Sequence, residues 1–183
     1  MQPRFVFARL VLSALVLSAL VLGILFAAAP QQARASEPKI LEFDTMVGVP
    51  RSYIASSGNT IRGVAGGGLP WVIGATKGEL STTGKLEIQV TGLVFDPNDQ
   101  AVIDAGLANR NTVAQFRAIV SCQTLSGGVE NVLTDPFPAT VGTLAQGGGN
   151  AKIETMVNLP KPCIAPIVFV TSPRGQWFAV TGN

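Results

Sequence analysis

Strict alternation marks the segment Lys85 to Thr91. Leu86, Ile88 and Val90 point one way, and Lys85, Glu87, Gln89 and Thr91 the other. A period of two is the pattern of a half-buried strand. Gly78-Glu79-Leu80-Ser81 leads into it through Thr82-Thr83-Gly84, so the pair predicts a hairpin with one wet face. A second hairpin near the end of the chain reads differently. Ile164–Thr171 and Gln176–Thr181 are dense in β-branched and aromatic residues on both faces, the pattern of central strands covered above and below. Ser172-Pro173-Arg174-Gly175 between them suits a β-turn, with proline presetting the second position and glycine at the fourth.

The same reading predicts a strand over Ile40–Val49 ended by Pro50, a brief strand over Ser52–Ala55, and another over Trp71–Ala75. Thr112–Thr124 returns to strand, with Phe116, Ala118, Val120 and Cys122 on one face, which points Cys122 into the core. Val129–Leu133 and Lys152–Leu159 are further strands, and Pro136 and Pro138 end the first of them because proline donates nothing to a ladder. Asp99 is placed to cap a short helix running to Leu107. The run Gly66-Gly67-Gly68 marks a close approach of backbone, and Ala145–Asn150 (AQGGGN) reads as a flexible loop. Roughly nine or ten short strands at intervals of about ten residues predict an all-β fold. It is an antiparallel β-sandwich, with a closed β-barrel as the alternative.

The N-terminus follows another rule. Arg4 and Arg9 precede an uncharged apolar run, Leu10–Ala29, and then the small-x-small site Ala33-Arg34-Ala35. That order is the signature of a secretory signal helix, residues 1–35, cleaved after Ala35. At about 20 residues the run is also long enough to span a bilayer, so a retained membrane anchor is the alternative. Cleavage leaves a single secreted domain, residues 36–183, a length that can bury a core.

Removing Arg4, Arg9 and Arg34 takes the formal charge from +2 to −1, so the basic character of the whole chain belongs to its leader. With no Lys/Arg cluster left, nucleic acid is excluded as a partner, and after cleavage no membrane contact is expected. The charged fraction is only 13%, against roughly 25% in an ordinary domain, so Thr, Ser, Asn, Gln and Gly must carry the surface. In an exported chain the two cysteines, Cys122 and Cys163, predict one disulfide tying the last hairpin to the strand that carries Cys122.

The chain contains no histidine. That excludes Ser-His-Asp and Cys-His catalysis and histidine-ligated zinc, copper or haem; a disulfide removes thiolate chemistry as well. No cofactor and no metal site is expected. A carboxylate pair acting on a glycan remains, with Glu42, Asp44, Glu79, Glu87 and Glu154 as the candidates, all at polar positions of alternating strands. Asp96, Asn98, Asp99 and Asp104 offer oxygen ligands for calcium, but Gln100 and Ala101 break the EF-hand pattern, and an acidic surface turn is the plainer reading. Gly63–Gly68 lacks the order of a phosphate-binding loop. Trp71, Trp177 and Tyr53 are a candidate aromatic platform for a sugar or lipid headgroup, unless they fill the core.

The segments GGGLPW (Gly66–Trp71), GELSTTGKLEIQVTGLV (Gly78–Val94), FRAIVSC (Phe116–Cys122), PFPAT (Pro136–Thr140) and PCIAPIVFVTSPRGQWFA (Pro162–Ala179) together resemble a family of exported bacterial proteins with no assigned activity. The resemblance implies secretion and a small β-domain, and brings no site residues. Gly78–Val94 also resembles, more faintly, the strand unit of extracellular CHRD-type domains, whose metal-ligating histidines this chain lacks. The expectation is a non-catalytic extracellular or cell-envelope module that binds a protein or glycan or contributes structure. A carboxylate-dependent glycan hydrolase and an uncleaved, membrane-tethered envelope protein are the alternatives.

Overall fold

A computed structural model describes residues 37–182 of the chain; the expected signal helix, its cleavage site and the alternative anchor lie outside these residues. In chain order come β1 (Lys39–Phe43), β2 (Met46–Gly48), two 3-10 turns (Arg51–Tyr53 and Ala55–Ser57), β3 (Thr60–Ile61), β4 (Val64–Ala65) and β5 (Trp71–Val72). There follow β6 (Ala75–Ser81), β7 (Lys85–Thr91), β8 (Val94–Phe95), the helix α1 (Gln100–Asp104), β9 (Arg110–Asn111) and β10 (Gln115–Gln123). The last third holds β11 (Val129–Leu133), β12 (Phe137–Pro138), β13 (Gly142–Thr143), a 3-10 turn (Leu144–Gln146), β14 (Ala151–Met156), β15 (Ile164–Thr171) and β16 (Trp177–Thr181).

Two antiparallel sheets hold the core. One runs β1-β6-β7-β14; the other runs β11-β10-β15-β16-β2, with β12 also paired to β10. Neither sheet pairs its first strand with its last, so the barrel alternative does not form and the arrangement is sandwich-like. Leu80, Leu86, Ile88, Val90 and Ile153 of the first sheet and Phe116, Ala118, Val120, Val168 and Val170 of the second are buried in one shared cluster. The alternation along β7 therefore does what the sequence predicts.

The second sheet is covered on its other face too. Val49, Ile54 and Val64, from the excursion between β2 and β5, are buried, and the Tyr53 ring lies 6.1 Å from that of Trp177. This explains why β15 and β16 are apolar on both sides. Their connecting turn closes as expected: the Gly175 N–H donates to the Ser172 carbonyl, and Ser172 Oγ accepts from the N–H groups of Arg174 and Gln176. Cys122 and Cys163 form the expected disulfide, which joins β10 to the entry of β15 within one sheet, at a Cα–Cα distance of 4.9 Å.

Three expectations need correction. Ile40–Val49 is two strands, because the chain leaves the first sheet after Phe43 and enters the second at Met46. Ser52–Ala55 belongs to 3-10 turns, since it spans the second sheet rather than pairing with it. AQGGGN is docked, not loose. The Leu93 N–H donates to the Gly149 carbonyl, the Gly148 and Gly149 N–H groups donate to Thr143 and Thr140, and Asn150 Oδ1 accepts from the Gly92 N–H. Glycine is what lets these backbones touch: Gly149 has φ +79°, and a Cβ there would collide with Leu93.

Three stability measurements follow. Gly58 has φ +74° with open space around it, so Gly58→Ala is expected to cost about 1 kcal/mol of backbone strain. Gly149→Ala adds a backbone collision and should cost at least about 3 kcal/mol in denaturant melts. Replacing both cysteines by alanine opens a loop of sequence separation 41 and should cost about 4 kcal/mol.

Candidate functional site

The outward face of the first sheet is where polar alternation places chemistry. Register sets Glu42 opposite Glu79, Glu79 opposite Glu87, and Glu87 opposite Glu154. The four carboxylates thus form one row across all four strands. The neighbouring row reads Lys77, Gln89, Lys152. Together with Asp44 these side chains line a shallow depression of about 820 Å³.

Like charges directly opposite one another on adjacent strands destabilise a sheet, and lysines offset that cost. Lys39 Nζ lies 3.0 Å from Glu42 Oε1 and 2.7 Å from Glu79 Oε2. Lys85 pairs with Glu87 along β7, and Lys152 Nζ lies 2.7 Å from Glu154 Oε1. The bonds to Glu79 and Glu42 raise Lys39 above the ordinary lysine range, as Glu87 does for Lys85 and Glu154 for Lys152. The hydrogen bond from Lys85, followed by its charge, holds the Glu87 carboxyl below the usual carboxylate range. Every glutamate in the row has its ammonium partner. Lys77 makes no ion pair among the described residues and stands free in the depression.

The sequence-level candidates divide sharply. Glu42, Asp44, Glu79, Glu87 and Glu154 come together on this face. Trp71 and Trp177 do not form a platform: they are 2% and 1% exposed. Trp71 stacks on Phe178 at 4.1 Å and also meets Phe95, while Trp177 lies against Phe169. Tyr53 is half-buried on the opposite sheet, packed on Trp177. The platform reading is therefore corrected; burial of both indoles leaves Trp71, Trp177 and Tyr53 no exposed ring pair. Neither indole N–H has a hydrogen-bond partner among the described residues.

The acidic turn is structural. Asp99 caps α1 by accepting from the Val102 N–H, and the Arg51 guanidinium binds both its oxygens, with Nε 2.8 Å from Oδ2. Asp96 accepts from the Asn98 N–H, and Asp104 from the Gln100 side chain. Among the described residues no group of three or more Asp, Glu or Cys side chains is arranged to hold a metal ion. Gly66–Gly67 is a close approach, as the sequence suggests: the Gly67 N–H donates to the Trp177 carbonyl, and a Cβ on Gly67 would stand 3.0 Å from the Phe178 ring.

What sequence reasoning missed is the row. The Thr82–Gly84 turn sets Glu79 against Glu87, but the places of Glu42 and Glu154 come from pairings across distant parts of the chain.

The guanidinium bond from Arg51 and the helix cap lower the Asp99 pKa. A depressed carboxylate adds stability above its unfolded pKa and loses it as pH falls through the folded value. Asp99→Asn should therefore lower the melting temperature by a few degrees at neutral pH. The gap from the unsubstituted protein should close as pH drops below the ordinary aspartate range, which thermal melts across pH will read.

Comparison with protein-family models, with curated proteins and with solved structures finds no match to this chain.

Proposed function

We propose that the protein is a secreted, non-catalytic β-sandwich module of the extracellular space or cell envelope, and that it binds a polar ligand on the outward face of the β1-β6-β7-β14 sheet. The observation that carries this reading is the ordered face itself: four carboxylates in register, three lysines held against them, and beside them Gln89 and Lys77, which makes no ion pair among the described residues. Such a face offers alternating donors and acceptors to hydroxyl-rich or charged chains, a glycan being the ligand class best matched to it. The disulfide favours an oxidising compartment, and no helix among the described residues is long and apolar enough to cross a membrane.

The same row supports the second reading, a carboxylate-dependent glycan hydrolase, because glutamates opposite one another on adjacent strands have Cβ atoms about 5 Å apart, which lets two carboxyls reach one glycosidic bond. That chemistry needs one carboxyl held protonated near neutral pH. Here each glutamate faces a lysine, and Glu87 is pushed the other way. Ion pairing on an open face weighs against the hydrolase.

The test is a thermal-melt screen of the purified protein against chito-oligosaccharide, β-glucan and uronic-acid oligosaccharides. A ligand that binds only the native state adds about 2.7 kcal/mol at one hundred times its dissociation constant. One of these glycans should raise the melting temperature, and Lys77→Ala with Gln89→Ala should abolish the shift without changing the melt of the free protein. A flat panel, or a shift that survives the double substitution, overturns the assignment of this face. Release of reducing ends that disappears in Glu79→Gln or Glu87→Gln would establish the hydrolase in its place.

A further inference from the structure

The two main sheets have four lateral edges, and three of them are closed or defended. Beyond β2, the Trp71 N–H donates to the Val49 carbonyl. β14 meets Ala139 in a bridge at Ala151 and carries Lys152 and Glu154. β1 carries Lys39 and Glu42, and its register shifts between Lys39 and Leu41. Cover, charge and bulges are the means by which edge strands are kept from pairing with other chains. β11 is the least protected: among the described residues no strand lies beyond it and its register carries no bulge. Among the described residues it pairs with β10 alone, in unbroken register, and its one charge is Glu130.

The ladder phase shows what that edge presents. The Thr124 N–H donates to the Gly128 carbonyl, and the Thr134 N–H to the Ala118 carbonyl. Hydrogen-bonded pairs recur every second residue in an antiparallel ladder, so Glu130 and Val132 bond to β10. The N–H and C=O groups of Val129, Asn131 and Leu133 then point to the free edge. The side chains of Val129 and Leu133 share one face of the strand and are 45% and 44% exposed.

We propose that β11 pairs antiparallel with the same strand of a second copy, about a two-fold axis through Asn131. In this register Val129 lies opposite the partner's Leu133, and Leu133 opposite the partner's Val129, so the exposed apolar side chains cover each other. Glu130 falls opposite the partner's Val132, so no like charges meet. The outward backbone groups of Val129, Asn131 and Leu133 satisfy their counterparts across the axis. The strand is its own complement, as an isologous contact requires, and this choice does not depend on what the charged face of the other sheet binds.

A strand-edge contact is smaller than the roughly 1,200 Å² of a standard interface, so the pairing should be read at concentrations of about 0.1–1 mM. Sedimentation equilibrium of the purified full chain is expected to show doubling of mass over this range. Amide exchange at Val129, Asn131 and Leu133 should slow as concentration rises. Val129→Lys with Leu133→Lys, both at exposed positions, should give a monomer with an unchanged melt, while Glu130→Gln should still dimerise. A chain that stays monomeric throughout overturns the proposal. So does an association that the double lysine variant leaves intact, or dimerisation without added protection at those three amides.

Discussion

Burial of β15 and β16 on both faces is the constraint on which the rest of the fold depends. On the inner side Val168, Val170 and Phe178 face the first sheet, with Trp71 stacked on Phe178. On the outer side Phe169 and Trp177 would form an exposed apolar patch if nothing lay over them, and such patches drive association. The excursion between β2 and β5 covers them, and it does so at backbone distance. The Gly67 N–H reaches the Trp177 carbonyl at 2.8 Å, and a side chain on Gly66 would collide with the Tyr53 carbonyl. Two glycines without side chains are therefore a condition for burying two large aromatic side chains, each worth about 2–3 kcal/mol when withdrawn from water.

That cover is pinned from the side. The register between β10 and β15 shifts between Ser121 and Gln123, next to the disulfide. Arg62 Nη1 donates to the Ser121 carbonyl at 2.8 Å, and Asn131 Nδ2 donates to the Arg62 carbonyl at 3.0 Å. The β3-β4 hairpin is thus tied to β10 and β11 at the point where the ladder is least regular. Cys163 anchors the start of β15 to Cys122 at that same point, so the covalent link supports the weakest part of the register rather than its middle.

Local rules made much of this legible from sequence. The hairpin at 78–91 follows from alternation, the Ser172–Gly175 turn from its proline and glycine, the α1 cap from Asp99, and the disulfide from two cysteines behind an N-terminus with the pattern of a leader. Readings that needed a partner failed. Ile40–Val49 carries its polar–apolar alternation through Asp44, so the pattern hides the corner at Asp44-Thr45 where the chain changes sheets. AQGGGN looks loose because glycine is free in isolation; Thr140, Thr143 and Leu93, which fix it, are remote or out of pattern. Trp71 and Trp177 left a platform open beside the plainer core reading, because an indole carries no local sign of which side will be covered. The glutamate row was visible as separate polar positions, and as a row only once four strands were in register.

The outward faces of the two sheets show what was open to variation and what was not. The second sheet had to be covered over β15 and β16, and there its outward face is interior. The first was free to be an ordinary mixed polar surface, in which opposite charges alternate across strands and stabilise the pairing. Instead, glutamate stands opposite glutamate at three successive junctions, and the lysines that neutralise them reach along their own strands, with Lys39 also reaching across to Glu79. This arrangement keeps a cross-strand ion pair between Lys39 and Glu79 but forgoes the further attraction that exchanging Lys77 and Glu79, or Lys85 and Glu87, would supply. Packing does not require it, since every residue concerned points to solvent. A surface order that costs cross-strand stability and serves no core is more readily understood through something that the face meets, and for this reason the binding reading is placed there rather than on the better-packed sheet.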